Sequence, residues 1–200
     1  MSTPAEQPRP RQLRMRRPAL EDLPELGTPA GYALRTFREG DEAAWGAIME
    51  APEGIGTGWT VEKVRASMMT RPQFEAEGLY FVTCDAEEDR PVASAAAWRV
   101  PAEERFTGYV HMVAALPEHR GKGLGRLATL ATLHYMRQHG FRDVLLETDD
   151  FRGPAVRTYL GLGFVPVYLE DPASDHVARW SALFTQLFER SKQGGQSRRR

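Results

Sequence analysis

Cysteine is almost missing from this 200-residue chain, and Cys84 stands alone. A single thiol closes no internal disulfide and builds no cysteine-rich metal site. A chain without disulfides fits a reducing, cytoplasmic setting. Long apolar runs are missing too, so no segment reads as a membrane span. The N-terminal stretch has no apolar core before a cleavage site, as a secretory signal needs. A surplus of positive charge is lacking where a nucleic-acid-binding body would carry it. The net charge is −1, yet residues 1–20 and 191–200 each carry +4, which leaves −9 on the body. An acidic body argues against nucleic-acid binding. The basic ends remain compatible with RNA or anionic lipid, although solvated tails are the plainer reading.

What is present fits one globular domain. Hydrophobic residues make up 42% and charged residues 26%, and 200 residues suffice for a buried core. Residues 1–30 read as a flexible Arg/Pro-rich arm, residues 31–190 as the domain, and 191–200 as a disordered basic tail. Within the arm, 14–30 reads as an extended segment resting on the domain. Alternating or apolar runs predict strands at 32–37, 79–84, 91–100, 108–115, 143–148 and 164–169. Helices are expected at 41–49 (capped by Asp41), 61–69 (capped by Thr60), 123–139, 154–162 and near 175–190. The order predicts an α/β (α+β) fold: a mixed sheet, a three-strand meander followed by βαβαβ, with helices on its faces.

The strongest chemical signal is Pro117–Gly125, PEHRGKGLG, between a strand and a long helix. Gly121, Gly123 and Gly125 lack Cβ atoms, so a ligand can approach the backbone there. The first turn of the helix presents unpaired N–H groups and a positive dipole end, which together hold phosphate. Arg120 and Lys122 add charge. A dinucleotide fingerprint is excluded by Arg126 after Gly125, and a P-loop sequence is absent. A plain strand-to-helix turn is the alternative.

The run Val113–Ala115, Pro117, then Arg120-Gly121-Lys122-Gly123-Leu124-Gly125 resembles the R/Q-x-x-G-x-G/A signature of the GCN5-related N-acetyltransferases. Ala155, Tyr159 and Gly163-Phe164 are similar to that family's A-x-x-x-Y-x-x-x-G-F helix. The resemblance covers roughly 31–170. It implies two splayed parallel strands, 108–115 and 143–148, with the pantetheine arm of acetyl-CoA against the backbone of Val113, Ala114 and Ala115. The pyrophosphate would lie on Arg120, Gly121, Lys122, Gly123, Leu124, Gly125 and Arg126. A strand N–H near Ala114 would stabilise the oxyanion. Tyr159 is the implied general acid, against plain packing of a helix face. Glu147, at a strand end, and His111, on the next strand, compete as general base. Glu53 is a further candidate for holding the incoming ammonium. Arg152 stands where many members have Asn, so it either reaches a phosphate of CoA or the contact is lost. The implied function is acetyl or acyl transfer from acetyl-CoA to a primary amine of a small molecule, peptide or protein, without a metal. A non-catalytic acyl-CoA sensor is the alternative. Expected partners are the amine acceptor and, as an option, a second copy of the chain; no nucleic acid or membrane is expected.

Overall fold

The computed structural model describes residues 11–52, 54–99, 105–169 and 174–197. Seven strands form one mixed sheet: β1 (Leu13–Arg17), β2 (Tyr32–Thr36), β3 (Leu79–Cys84), β4 (Arg90–Arg99), β5 (Thr107–Ala115), β6 (Asp143–Thr148) and β7 (Val165–Val167). Their spatial order is β2-β3-β4-β5-β6-β1-β7. β5 and β6 run parallel and every other neighbouring pair is antiparallel. Among the described residues the longer helical segments are α1 (Glu42–Glu50), α2 (Val61–Val64, extended by a wide turn over Arg65–Met69), α3 (Leu124–Gln138), α4 (Gly153–Gly161) and α5 (His176–Ser197). The mixed sheet flanked by helices is the expected architecture, and none of the described helices is long and apolar enough to cross a membrane. Backbone helix in α5 continues through 191–197, which the sequence reading places in a tail.

The largest departure lies at the N-terminal end. Residues 13–17 are not an arm laid on the domain but a strand inside the sheet, antiparallel to both β6 and β7. The segment LRMRR alternates, and period-two alternation sends side chains to opposite faces. Leu13 and Met15 have no exposed surface and join the core of Leu146, Phe164 and Trp180. On the other face, Arg14 pairs with Glu147 and Arg16 with Asp143. Arg17 turns inward, and its guanidinium donates to the carbonyls of Leu162 and Asp22. Leu162 ends α4, so Arg17 satisfies a helix-terminal carbonyl that would otherwise be an orphan.

Capping followed the sequence in one place and not in another. Thr60 accepts from the Lys63 N–H at 3.3 Å, as a helix cap should. Asp41 occupies the cap position of α1, but its carboxylate takes Arg35 and the Arg38 N–H instead. A charged partner outcompetes the helix amides because charge-assisted hydrogen bonds are about twice as strong as neutral ones.

Candidate functional site

β5 and β6 hydrogen-bond over only three pairs, Thr107↔Asp143 to Tyr109↔Leu145. Beyond them the strands part, as the expected splay requires. A cleft of about 900 Å³ opens there, walled by Tyr109–Val113 of β5, by the end of β6 and by Tyr159 of α4. Its lip is the glycine-rich segment around Gly54–Thr57. The β5 edge past Tyr109 is not taken by β6 and is free to pair with an extended ligand.

β5 is also bulged. Its register with β4 slips between Ser94 and Ala96, and Met112 takes φ 52°. The left-handed region is uncommon for a residue with a side chain. Ser94 Oγ donates to Met112 O at 3.1 Å and helps hold the kink. The bulge breaks strict alternation, and Met112 and Val113 both line the cleft.

β5 then leads through a turn at Pro117–His119 into the glycine loop and α3. Gly121 and Gly123 have φ 77° and 79°, and a Cβ on either would meet nothing within 4 Å. Gly123 is the N-cap of α3 and no side chain caps that helix. The first intrahelical bond is Leu127 N–H to Gly123 O, which leaves the N–H groups of Leu124, Gly125 and Arg126 without one. Open space above uncapped amides fits a pyrophosphate. Two side chains expected at the phosphate point elsewhere. Arg120 donates to Ala115 O and Pro52 O, and Lys122 Nζ donates to Tyr32 Oη at 2.8 Å. A phosphate placed there would meet mainly backbone groups. Of the expected cosubstrate contacts, Val113 and Arg152 line the cleft, while Ala114, Ala115 and 120–126 continue beyond its end.

The glycines give a test. Gly123→Val forces a branched residue into a left-handed conformation, a strain of about 1–3 kcal/mol. Gly125 has no such φ, and its Cβ would meet only Val113 Cγ1 at 3.9 Å. Both valines should weaken CoA binding by at least about tenfold in calorimetry through crowding of the cradle, but only Gly123→Val should lower the melting temperature noticeably. Unchanged CoA affinity in a folded Gly125→Val protein would move the cradle elsewhere.

The three candidate acid–base residues meet in the cleft. Tyr159 is 6% exposed and its ring packs edge-on to Phe164, with centroids 5.9 Å apart. Burial pushes its phenol up to about 12, with Arg152 pulling weakly the other way. Glu147 is held by Arg14, whose Nη2 donates to Oε1 at 2.8 Å, and by the Tyr109 hydroxyl at 3.4 Å. Burial, then the Glu147 charge, raises the Tyr109 phenol well above its usual range, so it stays a donor. His111 lies between Trp98 and Tyr109, with ring centroids 4.7 and 5.7 Å away. Burial lowers its imidazole to about 4 against a smaller opposing pull from Glu147. The sequence reading missed Arg14, because it came from the supposed arm. It also missed Tyr109, which the i, i+2 spacing to His111 could have revealed.

The His111 shift carries a stability consequence. Its folded value of about 4 lies below the ordinary 6.5. Between those values the unfolded chain binds a proton that the fold refuses, so stability falls as pH drops through that window. His111→Gln should flatten this loss, seen as a smaller difference between urea midpoints measured at pH about 5 and about 7. An equal pH dependence in both proteins would show that His111 is not buried as described.

Arg152 lines the cleft with its guanidinium tied to protein groups. Its Nε donates to Asp149 at 2.9 Å and its Nη2 to Gly54 O at 2.7 Å. Arg120 donates to Pro52 O in the same segment. Two arginines thus pin the glycine-rich lip over the cleft. Glu53, the proposed ammonium contact in that lip, lies outside the described residues. The cleft keeps other carboxylates: Glu50, Glu147, Asp149 and Asp150 all line it. Arg14, Arg152 and Arg179 pair with Glu147, Asp149 and Asp150.

Residues 45–164 match the family described as Acetyltransferase (GNAT) family. The chain is 37% identical over 159 residues to a mycothiol acetyltransferase of Thermomonospora curvata, covering 76% of this chain and 50% of that protein. It is 38% identical over 160 residues to the Nocardia farcinica protein of the same name, covering 76% and 51%. The chain thus spans about half the length of these relatives. Among solved structures, a GCN5-related N-acetyltransferase from Sphaerobacter thermophilus superposes with a TM-score of 0.62 at 21% identity, covering 80% of this chain and 50% of that one. Another from Kribbella flavida gives 0.54 at 24%, covering 84% and 60%. At these identities the structural likeness speaks for the fold.

Proposed function

Because the chain belongs to the acetyltransferase (GNAT) family, we propose that it moves an acetyl group from acetyl-CoA to a primary amine bound between β5 and β6. The observation that carries this reading is one continuous path. An open strand edge on β5 leads to the uncapped amides of α3 at Leu124, Gly125 and Arg126. An extended pantetheine fits the first and a pyrophosphate the second.

The residues divide the chemistry as follows. The acceptor arrives as an ammonium and loses one proton to solvent before it can attack, and Glu147 takes the second as the C–N bond forms at the thioester carbonyl carbon. Burial leaves His111 little affinity for a proton. A carboxylate suffices because the nitrogen becomes far more acidic once its C–N bond forms. A strand N–H near Ala114 faces the oxyanion. The C–S bond then breaks, and Tyr159 meets the departing thiolate. A phenol near 12 giving its proton outright to a thiolate of ordinary value near 8.5 costs about 5 kcal/mol. Tyr159 therefore serves as a hydrogen-bond donor to sulfur, and solvent completes the protonation.

The names of the relatives add mycothiol-type amines to the panel worth testing. Acetyl-CoA at about 100 times its dissociation constant should stabilise the protein by roughly 2.7 kcal/mol in thermal melts. An amine panel with mass spectrometry of products then separates turnover from binding alone. No shift with CoA or any acyl-CoA would sink the cosubstrate assignment. A shift without any acetylated product across the panel would favour a sensor.

A further inference from the structure

Outside the cleft, the sheet brings three metal-ligand side chains together. Cys84 ends β3, Glu87 sits in the turn between β3 and β4, and His119 closes the turn before the phosphate cradle. Their ligand atoms all lie within 4.8 Å of one another. We propose that Cys84, Glu87 and His119 form a binding site for a divalent cation of the zinc class. This inference stands independently of the acetyl-transfer reading.

The observation that points to a ligand is the imidazole of His119. The residue is 4% exposed, and its Nε2 has no hydrogen-bond partner. Nε2 lies 2.9 Å from Glu87 Oε1, at ion-pair distance but without hydrogen-bond geometry. A buried polar nitrogen left so is unusual and needs an explanation. The other ring nitrogen is already fixed, since Nδ1 lies 3.0 Å from Tyr32 Oη. With Nδ1–H donated to that oxygen, Nε2 offers its lone pair to the cluster. Metal-binding histidines are commonly oriented in this way by a partner on the second nitrogen.

The donor set selects the metal. Thiolate, imidazole and carboxylate together suit zinc or cobalt rather than calcium or magnesium, which prefer oxygen. Bonds of about 2.0–2.3 Å place tetrahedral donors roughly 3.3–3.7 Å apart. Glu87, whose side chain is 35% exposed, can make that adjustment and leaves the fourth position to water. On binding, the Cys84 thiol loses its proton to solvent. Thiolate and carboxylate then balance the two positive charges, with His119 neutral.

Cobalt(II) reads the site directly, because Cys84 is the only cysteine in the chain. The full protein, stripped with a chelator, is titrated with cobalt(II) alone. The expected result is one equivalent bound, an intense near-ultraviolet thiolate-to-cobalt band, and displacement of that band by zinc. Cys84→Ser should abolish the band. Glu87→Gln, at a half-exposed turn that tolerates change, should keep it but weaken cobalt binding by about tenfold or more. A folded wild-type protein without the band would overturn the proposal, as would a band surviving in Cys84→Ser or full affinity in Glu87→Gln.

Discussion

Tyr159→Phe is expected to lower kcat about a hundredfold while leaving the KM for acetyl-CoA nearly unchanged. The ring keeps its place against Phe164, and the side chain is buried to 6% exposure, so the packing survives. Only the hydroxyl is lost. In the proposed role it meets charge that exists on sulfur in the transition state and not in the bound thioester, so the loss would fall on kcat. The raised phenol value decides the size. Outright general-acid transfer is worth roughly 10²–10⁴-fold, whereas one hydrogen bond to a charged group is worth about 1.5–3 kcal/mol. With the phenol near 12, the second estimate governs and the loss sits at the low end. Initial rates at varied acetyl-CoA measure it. Wild-type kcat in the variant would make Tyr159 a packing residue and hand the sulfur to water.

Leu13→Ala should cost about 2–5 kcal/mol of folding stability, the range for a leucine emptied from a packed core. Leu13 has no exposed surface and sits in the cluster of Leu146, Phe164 and Trp180. Domains of this kind hold only about 5–15 kcal/mol in total, so the change is large. Arg16→Ala on the opposite face supplies the contrast. Arg16 is 50% exposed in its pair with Asp143, and such pairs contribute about 0–1 kcal/mol. Urea unfolding of both variants checks the assignment. If residues 13–17 were only an arm on the surface, the two midpoints would fall together.

The sequence was most legible where local chemistry dictates backbone. The glycine loop and the long helix after it lie where the pattern put them, because turn residues and periodicity act over short distances, whereas the splay of β5 from β6 came only from the family resemblance. β1 was hidden for the opposite reason. LRMRR holds two apolar residues among three arginines, too short a pattern to read as a strand. What makes it one is remote: Glu147 and Asp143 accept Arg14 and Arg16, and the Leu162 carbonyl accepts Arg17. The same blindness hid the partner of Glu147, so the strand-end carboxylate was visible while its guanidinium was not. The bulge at Met112 left no signal, since methionine is not a residue that announces a left-handed turn. Cys84 and His119 were each readable as residues, but only the sheet brings them together across thirty-odd positions.

The position of β1 between β6 and β7 has a consequence for how the chain comes off the ribosome. Arg14 and Glu147 are separated by 133 residues. Of the seven strands described, the one emerging first has partners only among the last two. Synthesis at about 5–20 residues per second leaves it waiting on the order of ten seconds with Leu13 and Met15 uncovered. Strands β2 to β5 pair with near neighbours and can assemble meanwhile. Closure of the sheet, and with it the placing of Arg14 on Glu147, thus waits until β6 and β7 have been made. Ribosome-bound lengths that end before β6 should gain a protected β2–β5 half with β1 still open to protease.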